Sequence, residues 1–179
     1  MNTCRLLHLD SVNVKTGDKL KYKQLLGLQG NTGTSTGKHL HIDCVKGLHD
    51  YYTLSDIDNW IVESDKNILD KFKHYDLFQN NFYMTTDYLE DGYKELYGYN
   101  HWGYDFVCTT DEIYFPFDTG EVVNTGYSAT AGNYIVIQFD FHWCEDIFNE
   151  LNDKITIHEK RFDDNITRAE IFALLNRII

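Results

Sequence analysis

One stretch limits the fold more than any other. Gly30-Asn31-Thr32-Gly33-Thr34-Ser35-Thr36-Gly37 is a loop of small residues, and it runs into His39-Leu40-His41-Ile42-Asp43-Cys44-Val45, which alternates cleanly as a strand. Residues two apart in a strand point to the same face, so the imidazoles of His39 and His41 project together. Two histidines on one strand face are a natural start for a zinc site, and the plainer reading is two half-exposed histidines.

A second pattern, His101-Trp102-Gly103-Tyr104-Asp105, adds a histidine and a carboxylate four residues apart. Both can reach one ion if the glycine allows a turn. Catalytic zinc sites use three protein ligands and keep a fourth position for water, and His101, Asp105 and one of His39 or His41 make that count.

The rest of the chain reads as mostly β. Leu6–Leu9, Val12–Val14 and Leu25–Leu28 are short strands between turn signals. Tyr134–Phe139 is a strongly apolar central strand, and the only proline, Pro116, belongs at an edge or a strand start. The 13 tyrosines lean the same way, because aromatic side chains suit half-buried pleated surfaces. Residues 48–84 change character. A short helix over 55–62 with Ser55 as its N-cap is expected there, inside a connector that packs on the domain. At the other end, Thr167 and Glu170 form a capping box. Ile171, Leu174, Leu175 and Ile178 then fall on one helical face.

Charge and composition exclude partners. A net charge of −12 argues against nucleic acid, which needs a basic stripe. No stretch approaches the ~20 apolar residues of a membrane span. The first residues hold no apolar run of signal-peptide length. The expectation is therefore synthesis in the cytoplasm, with release by other means if the protein acts outside. The four cysteines, Cys4, Cys44, Cys108 and Cys144, form no CxxC pair and are expected as free buried thiols.

Taken together the two patterns resemble a known family. The stretch from Gly17-Asp18-Lys19-Leu20 through Gln24–Gly27 and Gly30–His41 is similar to the C-terminal half of the lysostaphin-like endopeptidase domain, as is Leu7-His8-Leu9-Asp10-Ser11. Met84–Tyr88 through His101–Asp105, then Phe115–Val122 and Gly132–Ile137, resemble its N-terminal half. The resemblance covers roughly 100 residues, and the glycine-rich loop into His-Leu-His is its most specific part. It implies His101, Asp105 and His41 as zinc ligands, His39 as general base or orienter of the water, and His8 as a neighbouring histidine that steadies the oxyanion. It implies a mainly β, antiparallel-sheet groove, one Zn2+ per site and a peptidoglycan peptide as substrate. The implied activity is a peptidoglycan endopeptidase of the phage-lysin or tail-associated kind.

Two departures stand out. Lys38 replaces the usual proline before His-Leu-His. The halves also come in swapped order: residues 1–47 are the C-terminal half, 48–84 a connector, 85–140 the N-terminal half and 141–179 a helical appendage. Three explanations are open. The domain is circularly permuted within one chain, or two chains exchange halves as a homodimer, or neither site is complete. A catalytically inactive module that binds wall or builds a virion, and a cytosolic metalloprotein of unrelated activity, are the competing functions.

Overall fold

The computed structural model describes residues 1–59, 66, 77–78, 82–117 and 119–139. The described residues belong to one compact unit. The expected C-terminal helix and Cys144 lie outside the described residues. Among the described residues no helix is long and apolar enough to cross a membrane.

The architecture is mainly antiparallel β. In chain order the strands are β1 (Asn2–Leu9), β2 (Ser11–Val12), β3 (Lys19–Lys21), β4 (Leu25–Leu28), β5 (Leu40–Lys46), β6 (Phe82–Thr86), β7 (Gly103–Cys108), β8 (Glu112–Tyr114), β9 (Thr119–Ser128) and β10 (Gly132–Phe139). Helix α1 (Leu54–Asn59) lies between β5 and β6, and α2 (Tyr93–Tyr97) between β6 and β7. A large sheet runs in the order β3-β9-β10-β1-β5-β7-β6, and a small one in the order β2-β4-β8.

The two motif halves interleave in the large sheet. β1 and β5 pair with each other, and they sit between β10 on one side and β7 on the other. Asn2 lies opposite Phe139, and Leu40 opposite Phe106.

Strand alternation then divides the sheet into two chemically different faces. Even-numbered residues of β5 and β7 (Leu40, Ile42, Tyr104, Phe106) are buried in the main core with Leu6. Leu26, Ile113 and Phe115 join them from the small sheet and its flank, and Phe117 stacks on Phe139 with ring centroids 4.2 Å apart. The odd-numbered residues of β5 and β7 carry His41, Asp43, Gly103 and Asp105 on the opposite face. A second, smaller apolar cluster of Val45, Tyr52, Ile57 and Trp102 includes the odd-face residue Val45.

Several expectations change. β1 begins at Asn2, not Leu6, because Thr3 and Arg5 are buried polar residues that break a simple apolar alternation. α1 starts at Leu54, and its cap is Thr53 rather than Ser55. The Thr53 hydroxyl accepts from the Asp56 amide (3.2 Å) and the Asp56 carboxylate accepts from the Thr53 amide (2.6 Å), a reciprocal pair that satisfies two helix-start donors. Cys4 and Cys44 are not free thiols. They face each other in the β1–β5 register and form a disulfide, with Cα atoms 4.1 Å apart. Cys108 remains a buried free thiol.

Candidate metal centre

The pairing of β5 with β7 sets His41 directly opposite Asp105. Their side chains therefore meet although 64 positions separate them, with Nδ1 of His41 2.8 Å from Oδ1 of Asp105. His101 stands just before β7 and brings Nε2 to 3.1 Å from both atoms. His41, His101 and Asp105 together form a buried group of ligand atoms within 4.8 Å of one another.

The glycine of His-x-Gly-x-Asp has a different purpose from the one expected. Gly103 makes no turn and opens β7 as extended strand. It faces His41, and a Cβ there would lie 2.7 Å from His41 Nε2 and 2.4 Å from the Ile42 carbonyl. Only a residue without a side chain lets the His41 ring lie against the neighbouring strand.

The outward nitrogen of each histidine has its own acceptor. His101 Nδ1 donates to the Asp87 carbonyl (2.8 Å), which leaves Nε2 facing the cluster. His41 Nε2 donates to Asp43 Oδ2 (3.2 Å), which leaves Nδ1 facing it. Two nitrogens and a carboxylate oxygen thus converge on one buried point. The electrostatics agree. Burial opposes a charged imidazole, yet Asp105 and Asp43 outweigh it and raise His41 to about 9. Burial likewise favours a neutral Asp105, but His101 and His41 hold its carboxyl well below the usual range. The site attracts positive charge, whether a proton or a metal ion, and the donor set of two imidazoles and one carboxylate suits zinc.

His39 and His8 flank this cluster. His39 Nδ1 donates to the Gly37 carbonyl (2.8 Å), and its Nε2 lies 3.7 Å from Asp105 Oδ1. His8 reaches the site through a β-bulge. By parity it would share the core face of Cys4 and Leu6. The register between β1 and β10 slips between Leu6 and Leu9, and His8 takes φ 65°, a left-handed conformation unusual for a residue with a side chain. Its ring then lies 4.9 Å from that of His39, centroid to centroid. Nδ1 is hydrogen-bonded to the Thr32 carbonyl (2.9 Å). Burial first, then His41 and His39, lower His8 to about 4 against that hydrogen bond.

The glycine-rich loop is tied down to present that carbonyl. Thr32 Oγ1 donates to the Leu9 carbonyl (2.8 Å) and accepts from the Asn133 amide (2.9 Å). Gly132, at φ 65°, lets Thr32 approach, since a Cβ there would lie 2.2 Å from Thr32 Oγ1.

Sequence reasoning missed what lies behind His41. Asp43 is fully buried, and so is Arg5, at 2% exposure. Arg5 Nε donates to Asp43 Oδ1 (3.0 Å) and Nη2 to Oδ2 (2.5 Å). Arg5 Nη1 donates to the Tyr52 carbonyl, and the guanidinium carbon lies 4.2 Å from the Tyr52 ring centre. Tyr52 Oη donates to Asp43 Oδ1 (2.6 Å). Burial would raise the Asp43 carboxyl, but Arg5 and His41 hold it well below the ordinary range. Burial and Asp43 keep the Tyr52 hydroxyl protonated. The available signal was Asp43 itself, two residues beyond His41 on the same strand face.

Comparison with known proteins finds matches in the stretch that holds His8, His39 and His41. Residues 2–51 match Peptidase family M23. A glycyl-glycine endopeptidase of Staphylococcus capitis is 51% identical over 35 residues, which is 20% of this chain and 10% of that protein. A peptidoglycan DD-endopeptidase of Vibrio cholerae is 49% identical over 41 residues, 23% of this chain and 10% of that protein. An uncharacterized metalloprotease of Buchnera aphidicola is 51% identical over 39 residues, 22% of this chain and 10% of that protein. The chain spans about a tenth of the length of these curated relatives. No solved structure matches.

Proposed function

We propose that this chain, whose residues 2–51 match Peptidase family M23, is a zinc-dependent endopeptidase of bacterial peptidoglycan, cutting a stem peptide or a cross-bridge. The observation that carries the proposal is the convergence of His41 Nδ1, His101 Nε2 and Asp105 Oδ1 on one buried point. These three atoms would hold the ion. Zinc there would supply Lewis acidity, polarising the scissile carbonyl and lowering the pKa of a water to ~7.

The chain's own histidines would move protons. With Nδ1 committed to Gly37, His39 offers Nε2 as the acceptor for the proton the attacking water gives up. His8, with Nδ1 committed to Thr32 and its ring neutral near pH 7, offers a bare Nε2. It steadies an oxyanion only after taking up a proton at that atom, so proton uptake by His8 accompanies that role.

The swapped order of the halves fits a circular permutation within one chain. Asn2 faces Phe139 across β1 and β10, where a hairpin would join the two halves in the usual order. The proximity of all three ligand side chains within one chain supports closure in a monomer over exchange of halves between two chains. A phage-type lysin or tail-associated enzyme is the setting we attach to this reading, and detection of the chain in purified virions or phage lysates tests it.

The main experiment combines metal content per chain on size-separated protein with turnover of isolated peptidoglycan. About one zinc per monomer and release of wall peptides are expected. Asp105→Ala should lose the metal, while His39→Ala should keep it and lose turnover. Activity that survives His39→Ala would remove His39 from its role. Zinc retained without turnover on any wall preparation would turn the reading to a binding module.

A further inference from the structure

Tyr52 lies one residue beyond the stretch that matches the peptidase family, in the connector that separates the two motif halves. Nothing in the motif requires it. It is nonetheless fully buried and touches the metal centre through a single intermediate. Its hydroxyl donates to Asp43 Oδ1 (2.6 Å), and the other oxygen of that carboxylate accepts from His41 Nε2 (3.2 Å). Its ring lies beneath the Arg5 guanidinium, and its carbonyl accepts from Arg5 Nη1.

We propose that Tyr52 is a positioning residue for the metal centre: by holding Asp43, it keeps His41 turned with Nε2 outward and Nδ1 toward Asp105 and His101. The reasoning is geometric. A histidine presents one nitrogen to a metal only if the other has a fixed acceptor, and an acceptor is fixed only if its own remaining positions are filled. Asp43 meets that condition from three sides. Arg5 binds both of its oxygens, Tyr52 binds Oδ1, and His41 binds Oδ2. Arg5 is itself pinned by the ring and the carbonyl of Tyr52, so Tyr52 acts on the carboxylate directly and through the guanidinium.

The connector thereby becomes part of the site. Thr53 follows Tyr52 and caps α1, and Ile57 of that helix packs in the same apolar cluster as Tyr52. The position of α1 and the orientation of His41 are linked through two side chains.

This proposal rests on the metal-centre reading above. The test is the zinc dissociation constant of the full chain, measured by competition with a chromogenic chelator, for wild type, Tyr52→Phe and Ile57→Val. Tyr52→Phe keeps the ring under Arg5 and removes only the hydroxyl. Ile57→Val loosens the same cluster without touching Asp43. Side-chain 15N resonances of His41 in the zinc-loaded protein give a second readout that a purely structural role would not move. The expected result is zinc affinity about tenfold weaker in Tyr52→Phe, the lower end of what lost supporting hydrogen bonds cost. It comes with a broadened or shifted His41 Nε2 signal and with wild-type affinity in Ile57→Val. Equal affinities and an unchanged His41 signal in Tyr52→Phe would overturn the proposal. Equal losses in both variants would also overturn it, since packing alone would then explain the effect. A wild type that binds no zinc would instead overturn the metal-centre reading.

Discussion

Arg5→Met isolates the energetics of the buried network. The substitution keeps an unbranched side chain in β1 and removes the charge that balances Asp43. Both partners are sealed from solvent, at 2% and 0% side-chain exposure. Removing one member of such a pair leaves the other buried without its counter-ion, which costs about 3–5 kcal/mol, met here by the carboxyl taking up a proton. That is a large share of the ~5–15 kcal/mol that stabilises a typical domain. The pH dependence gives the sign. In the wild type the Asp43 carboxyl is held below its ordinary value, chiefly by Arg5 against the opposing effect of burial. The stability this supplies is complete above the unfolded value of ~3.9 and is lost as pH falls below it. In Arg5→Met burial prevails and the carboxyl rises. The variant then loses stability as pH climbs above ~3.9, because the unfolded chain ionises and the folded one does not. The deficit relative to wild type should be greatest near pH 7.5 and shrink toward pH 4.5. Urea denaturation of chelator-stripped protein, followed by circular dichroism at both pH values, measures it. Adding Asp43→Asn to Arg5→Met should recover part of the loss. A deficit under about 1 kcal/mol at pH 7.5, or one that does not shrink with acid, would refute the argument that an uncompensated buried charge sets the cost.

Three further outcomes are expected. Gly103→Ala should lose zinc, because its Cβ would lie 2.7 Å from His41 Nε2, and metal analysis checks this. His8 is lowered to about 4, so between pH 6.5 and pH 4 the unfolded chain takes up a proton that the native state refuses. The metal-free protein should therefore lose up to about 3 kcal/mol over that window, and His8→Gln should flatten the dependence. Thr53→Ala should cost about 1 kcal/mol by removing the cap of α1, read as a lower denaturation midpoint with unchanged slope.

The parts of the site written in strand periodicity were legible in the sequence. His39-Leu40-His41 alternates, and the register that sets His41 against Asp105 follows once the two motifs lie on neighbouring antiparallel strands. The features that stayed hidden belong to residues whose role depends on partners distant in sequence. Nothing in the sequence singles out Arg5, and only its position beside β5 reveals a buried counter-ion to Asp43, 38 positions away. Cys4 and Cys44 carry no spacing signal, and the β1–β5 register alone brings them together. Strand parity would send His8 to the core, and the bulge that turns its ring toward His39 has no glycine to announce it. α2 sits between Gly92 and Gly98, both left-handed, and its five residues are too few for a helical period to show.

The 64 positions between His41 and Asp105 have a consequence for the order of events during synthesis. The segment with His39 and His41 leaves the ribosome first. It has no use for a metal until the strand with Asp105, and His101 just before it, emerges and pairs beside it. A truncated or half-made chain therefore carries the more recognisable half of the motif and still cannot assemble the cluster. Whatever chemistry the cluster supports begins only with the closing of the sheet, because a fragment that ends before Asp105 lacks the full set of ligand atoms.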